Sequence, residues 1–303
     1  MSILLTGGTG FIGQQVSKHY NIKKQVVRKG ERHSYSSVYK IKSLDGKTNW
    51  NGAFNDVDTV IHLAGLAHSH LFKKQDYQFV NVDGALHLAS EAAKAGIKRF
   101  VFVSSIGVNG AFTADTPFSA MSKLHPHNDY AQSKYDAELG LKKIASETGM
   151  EVVIVRPTLV YGLNAPGNFG SLVNFVAKAP FLPFGLTKNR RDFISVQNLA
   201  DLLIACAKHP DAGNQVFLAS ENETVSIKQF TNAIAKGLGK NIIQLPIPVW
   251  LMRWLGGVLG KSAIVEQLVG NLEVDSSSLS KVLGWTPPYT MEESMASLSE
   301  DKK

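Results

Sequence analysis

The chain has 303 residues, 44% of them hydrophobic, with a formal charge of +7 and one cysteine. That length and composition exclude a disordered chain and allow one large or two modest domains. The positive charge is scattered rather than blocked, its densest piece being Lys23, Lys24, Arg28, Lys29 and Arg32, which favours an anionic small ligand over a nucleic-acid track.

The first predicted strand, ILLT, begins within three residues of the start, with no basic, apolar and small-residue leader ahead of it. A cytoplasmic protein is expected. The strand runs into GGTGFIG, which places Gly7, Gly10 and Gly13 at three-residue spacing where the first helix must begin. Glycines there let the backbone turn tightly, let a pyrophosphate reach the amides of the helix N-terminus, and let helix pack closely on strand. Between a first strand and a first helix, the triplet predicts a dinucleotide site.

The second strand, QVV, ends at Arg28. An acidic residue usually stands there to bind the adenosine ribose hydroxyls. Arginine instead pairs with a 2′-phosphate, and Lys29 and Arg32 add charge, so NADP is expected ahead of NAD. A solvated basic loop would explain the cluster but not the missing acid.

Further along come TVIHLAG, a long mixed stretch to Ala95, FVFVSS, a segment holding Tyr130, and EVVIVRP. Continuous apolar strands alternating with helices predict an α/β chain: a Rossmann-type, doubly wound parallel sheet with right-handed crossovers. Residues 1–160 are expected to form this dinucleotide-binding domain. From 161 to 303 Pro and Gly are scattered between helical pieces, which predicts a smaller, mostly helical substrate region, with parts of 190–220 returning to the first domain. Cys206, inside LADLLIACA, is expected to be a buried core thiol.

FVFVSS ends in Ser104 and Ser105, and Tyr130 follows in NDYAQSKYD with Lys134 four positions on. The spacing alone is uninformative, because Tyr20 and Lys24 share it. Position separates the two pairs: ligands bind at the C-terminal edge of a parallel sheet, so a serine at a strand end and a tyrosine on the next helix can both face a nicotinamide. Moving hydride to or from a carbinol carbon requires a proton to move at its oxygen. A free phenol, with a pKa of about 10, needs a nearby positive charge to act as a base. Ser105, Tyr130 and Lys134 are therefore the candidate catalytic residues, with Ser105 donating to the substrate oxygen.

With TGGTGFIG, VIHLAG, NVDGALHLA, FVFVSS, YAQSK, RPTLVYG and RDFISVQNLAD in this order, the chain resembles the extended short-chain dehydrogenase/reductases, in particular their nucleotide-sugar epimerases and dehydratases. The resemblance implies that Gly7, Gly10, Phe11 and Ile12 line the pyrophosphate, Leu63, Ala64 and Gly65 the adenosine side, and Asn81 and Lys134 the cofactor ribose. It makes Tyr130 the acid/base and gives Asn168 and Arg191 the nucleotide diphosphate of a UDP- or dTDP-hexose. It also implies a homodimer packing the helices that carry Tyr130 and follow Asn81.

Two departures from that family's pattern narrow the reaction. Dehydratases carry an Asp-Glu pair after the catalytic hydroxyl residue, where this chain has Ile106 and Gly107. The 4-epimerases usually hold NAD with an acid where Arg28 stands. Together with the tail LEVDSSSLSKVLGWTPP, these place a UDP-4-keto-sugar 4-reductase of surface-polysaccharide synthesis slightly ahead of a 4-epimerase with tightly bound NAD. A non-catalytic dinucleotide-binding regulator is the alternative of another class.

Other residues carry plainer expectations. The His68/His70 and His125/His127 pairs lack the companions a metal needs, so no metal is expected. His62 reads as a satisfied core histidine. Residues 242–260 are too interrupted for a membrane span, so no insertion is expected, and Trp250 and Trp254 are expected in the core.

Overall fold

The inner strands of the sheet that positions the site are short, apolar segments, too buried on both faces to alternate with polar residues. The computed structural model describes residues 1–67, 69 and 71–302. The strands are Ile3–Thr6 (β1), Lys24–Arg28 (β2), Val38–Ile41 (β3), Thr59–His62 (β4), Arg99–Val103 (β5), Glu151–Pro157 (β6), Leu159–Tyr161 (β7), Phe181–Leu182 (β8), Phe193–Ser195 (β9), Val216–Ala219 (β10) and Ile243–Gln244 (β11). Seven of them form one sheet in the order β10-β6-β5-β4-β1-β2-β3, every neighbouring pair parallel. The order in which strands are added reverses between β1 and β4, the two strands remaining parallel. The C-terminal ends of those strands therefore open the crevice where such sheets bind ligands.

The helices are Phe11–His19 (α1), Lys74–Tyr77 (α2), Ala85–Lys94 (α3), Asp129–Thr148 (α4), Gly167–Lys178 (α5), Val196–Lys208 (α6), Ile227–Gly237 (α7), Val249–Val258 (α8), Ser262–Val269 (α9), Ser277–Leu283 (α10) and Met291–Ala296 (α11). Alternate strand residues feed two separate cores, as a period of two requires. Ile3, Leu5, Ile61, Val101 and Val153 pack against Val16 of α1 and Leu199, Leu203 and Cys206 of α6. Leu4, Val60, Phe100, Phe102 and Val152 pack against Leu88 of α3 and Leu141 of α4.

A third core, centred on Tyr161, Phe169, Phe193 and Phe230, holds the later helices together. The Phe193 and Phe230 rings stack at 3.8 Å. The chain recrosses to the main sheet twice after residue 190. First α6 and β10 return, then α10, whose Leu279 and Leu283 join the first core. Asp201 ties these passes, accepting from the Tyr20 hydroxyl and from Trp285 Nε1, each at 2.7 Å.

That bond also disposes of the Tyr20/Lys24 pair. Tyr20 caps the end of α1, while Lys24 lies in β2 and donates to the Ala53 carbonyl at 2.9 Å. The expectation for Trp250 and Trp254 fails. Both are outward on α8, 69% and 60% exposed, while Met252 and Gly256 face inward. Gly256 is where α9 comes closest, since a Cβ there would lie 2.7 Å from Val265 Cγ2. No helix among the described residues is long and apolar enough to cross a membrane.

Candidate active site

The glycine loop is shaped by close approach. Gly7 sits at φ +71°, where a Cβ would stand 2.7 Å from the Ala64 nitrogen, and a Cβ on Gly13 would stand 2.1 Å from the Gly7 carbonyl oxygen. Gly10 differs: its Cβ would meet only that same oxygen, at 3.3 Å, which leaves its outer side open to a phosphate. Gly10 is the N-cap of α1, with Phe11 and Ile12 in the first turn and no acidic residue there to compete for the amides. These features fit a dinucleotide pyrophosphate at a helix N-terminus.

Leu63, Ala64 and Gly65 follow β4 and are pinned from both sides. The Ala64 amide donates to Thr6 Oγ1 at 3.2 Å, and that hydroxyl lies 2.7 Å from His62 Nδ1. From the other side Asn81 clamps the loop, its Oδ1 accepting from the Leu66 amide at 2.7 Å and its Nδ2 donating to the Leu66 carbonyl at 3.0 Å and to Ser133 Oγ at 3.1 Å. Asn81 lies in a π-helical turn, Gln78–Gly84, joining α2 to α3. Such wide turns recur at functional sites because they re-aim a side chain. Gly65 fits closely here, as a Cβ would lie 2.9 Å from Asn81 Oδ1 and 3.6 Å from Lys134 Nζ.

Ser105, Tyr130 and Lys134 are brought together over the end of β5. Ser105 is the N-cap of a short turn, Ile106–Val108, and its Oγ accepts from the Gly107 amide at 3.1 Å while also meeting the Tyr130 phenol. Asn128 caps α4 by accepting from the Ala131 amide at 2.8 Å, which starts the helix one residue before Tyr130. Burial pushes the Tyr130 phenol up to about 12, with the Ser105 hydrogen bond opposing and Tyr77, whose ring lies 6.0 Å away, adding to it. Burial lowers Lys134 to about 8, and Glu138 partly restores it. The ammonium donates to the Val103 carbonyl at 2.9 Å and stands 4.7 Å from the centre of the Phe102 ring.

Beneath the trio lies a polar network not anticipated from the sequence. Glu138 and Arg156, each 1% exposed, pair at 2.5 Å and 2.9 Å. Glu138 also accepts from Ser104 Oγ at 2.5 Å, and Arg156 donates to Asn109 Oδ1 at 3.0 Å. The signal was present, because Tyr130, Lys134 and Glu138 repeat at i, i+4 and i+8 on one helix face.

At the end of β2 the structure adds a second unanticipated group. Arg28 is exposed there, and Glu31 lies beside it, 3.5 Å from the guanidinium. The Glu31 carboxylate accepts from the Arg28 amide at 2.9 Å and from Thr9 Oγ1 of the glycine loop at 2.7 Å. Burial would raise this carboxyl, but those donors and the Arg28 charge together hold it below the usual range. A carboxylate therefore stands three residues past the strand end, against the glycine loop. A cleft of about 940 Å³ borders the loop on its α1 side, lined by residues such as Thr9, Ser17, Lys18, Arg32 and Tyr35.

The two substrate candidates lie in the second lobe. Asn168 is exposed in the first turn of α5. Arg191 is tied by its backbone to Val225 and by Nη1 to the Gly270 carbonyl at 3.1 Å, and burial lowers it to about 10 despite the adjacent Asp192. His127 is engaged at both nitrogens, with the Gly107 carbonyl and with Asn128. The His68 and His70 pair lies outside the described residues. Among the described residues no group of three or more His, Cys, Asp or Glu could hold a metal.

A parallel sheet with a glycine loop after β1, and a Ser-Tyr-Lys trio over β5, defines an NAD(P)-dependent enzyme of the extended short-chain dehydrogenase/reductase class. Within it, the chain belongs to the NAD dependent epimerase/dehydratase family, whose model matches residues 3–220. It is 40% identical to a UDP-glucose 4-epimerase of Vibrio cholerae, over 96% of this chain and 92% of that one. It is 25% identical to N-acetyl-alpha-D-glucosaminyl-diphospho-ditrans,octacis-undecaprenol 4-epimerase of Escherichia coli O157:H7, over 97% and 93%. The fold matches that of a Thermotoga maritima UDP-glucose 4-epimerase solved with UDP-glucose, at a TM-score of 0.76, 23% identity and 99% and 98% coverage.

Proposed function

We propose that the protein is a 4-epimerase of a UDP-activated hexose that works with a retained NAD. The observation that carries the reading is the Ser105–Tyr130–Lys134 trio at the strand ends, with Ile106 and Gly107 where dehydration would need acids. The relative at 40% identity supports position C4. The case for a 4-ketoreductase drawing on NADPH rested chiefly on Arg28, with Lys29, Arg32 and the tail LEVDSSSLSKVLGWTPP beside it. Glu31 now stands between Arg28 and the glycine loop, where it suits ribose hydroxyls and repels a 2′-phosphate.

Bound NAD supplies the acceptor and later the donor of the C4 hydride. Burial holds the Tyr130 phenol up at about 12; the Lys134 ammonium and a positive nicotinamide ring would lower it, so that Tyr130 takes the proton of the C4 hydroxyl and returns it after the other face has been presented. Ser105 donates to the same oxygen and fixes its distance from the phenol. Lys134 supplies positive charge, with its ammonium anchored on the Val103 carbonyl. Asn81 acts as a positioning residue that holds the loop on which the adenosine side rests. Asn168 and Arg191 are assigned to the diphosphate of the sugar nucleotide, and α3 with α4 to a homodimer contact, where Leu139 of α4 and Phe79 of the π-helical turn that precedes α3 are outward.

Denaturing the purified protein and identifying the released dinucleotide tests the cofactor. NAD is expected, and Glu31→Ala should weaken its retention relative to NADP by about tenfold. Empty sites that take up only NADPH would restore the reductase.

A second reading of the substrate is favoured by the exposed apolar faces of α8 and α9: a hexose carried on a lipid diphosphate, the chemistry named for the Escherichia coli relative.

A further inference from the structure

Two short helices of the second lobe present an apolar surface that the reaction does not use. On α8, Trp250, Trp254 and Val258 repeat at i, i+4 and i+8 and are 69%, 60% and 67% exposed, with Leu255 and Leu259 beside them. Ile264 on α9 is 55% exposed. The hairpin is a built unit, because Arg253 clasps Glu266 through two hydrogen bonds, at 2.6 and 3.1 Å, and Gly256 admits Val265. Exposed indoles aligned with aliphatic side chains are uncommon on a surface that meets only water.

Charge selects what covers it. The chain carries a formal charge of +7. On the hairpin Arg253 pairs with Glu266, and Lys261 is exposed at its turn, beside Leu259. An anionic bilayer complements that net positive charge. A ten-residue helix is about 15 Å long, too short to span but suited to lie in the headgroup layer with tryptophan at the boundary.

We propose that the α8–α9 hairpin is an interfacial docking surface for anionic phospholipid, holding the second lobe against a membrane without insertion across it. This stands whether the sugar is carried on UDP or on a lipid diphosphate, since it concerns the surface and not the site.

Flotation of the full-length protein tests it, with phosphatidylcholine vesicles with and without phosphatidylglycerol. Wild type should float with the phosphatidylglycerol vesicles, with a blue shift in tryptophan emission, and about tenfold less with phosphatidylcholine alone. A Trp250→Ser, Trp254→Ser variant should lose about tenfold in partitioning while keeping wild-type turnover of a soluble UDP-hexose, which also reports that it folds. Lys261→Glu should lose most of the preference for phosphatidylglycerol. Absence of wild-type flotation would overturn the proposal, as would flotation unchanged in the double variant. Self-association in sedimentation that the double variant abolishes would assign the face to a second copy instead.

Discussion

His62 shows how a residue at the edge of the site couples it to pH. It is 1% exposed, stacks on Phe102 and touches Thr6, and burial lowers it to about 3 from an ordinary 6.5. Below about pH 6.5 the unfolded chain binds a proton that the folded chain refuses, so stability is lost as pH falls from there towards about 3. His62→Phe should flatten this part of the acid limb by roughly 1 kcal/mol per pH unit, read by urea unfolding between neutral and mildly acidic pH. An unchanged slope would remove His62 as the cause. At the reacting centre, Tyr130→Phe should lower turnover by about 10²- to 10⁴-fold with dinucleotide content unchanged, since only the proton transfer is removed. Ser105, Tyr130 and Lys134 could be read from the sequence because a strand end and a helix start bracket them. Glu31 could not, because it acts from a loop whose path no periodicity describes.

At the scale of elements, α4 is the part on which the site depends. Its N-cap sets where Tyr130 points, and its next two turns carry Lys134 and then Glu138 into the sheet. Glu138→Ala would leave the Arg156 guanidinium buried without its carboxylate, a change that costs roughly 3–5 kcal/mol in comparable pairs. Chemical denaturation should show that loss, and Glu138→Gln, which keeps the shape and some hydrogen bonds, should lose less. Equal losses would mean that the pair's charge matters little. The register of α8 was not legible for the opposite reason. VWLMRWLGGVL is apolar on nearly every side, so only contact with α9 and the third core decides which residues turn inward.

Across the whole molecule, two cores on the faces of one sheet make the first lobe, and a third, ring-rich core makes the second. The alternation of strands and helices made the sheet legible. The returns of α6, β10 and α10 were only partly so, because a helix's partner layer is a long-range fact that local pattern does not encode. The same holds for the proposed substrate groups: Asn168 and Arg191 come from distant segments, and sequence periodicity describes neither. The resulting arrangement keeps the dinucleotide loop, the trio and the second lobe around one sheet edge, which suits a hydride that leaves C4 and returns to it.

That return is the central claim, and a C4-deuterated UDP-hexose tests it most directly. Incubated with the purified protein and no added dinucleotide, it should give the C4 epimer with deuterium retained at C4. Deuterium lost from C4, or turnover only when NADPH is added to a 4-keto sugar, would contradict the account.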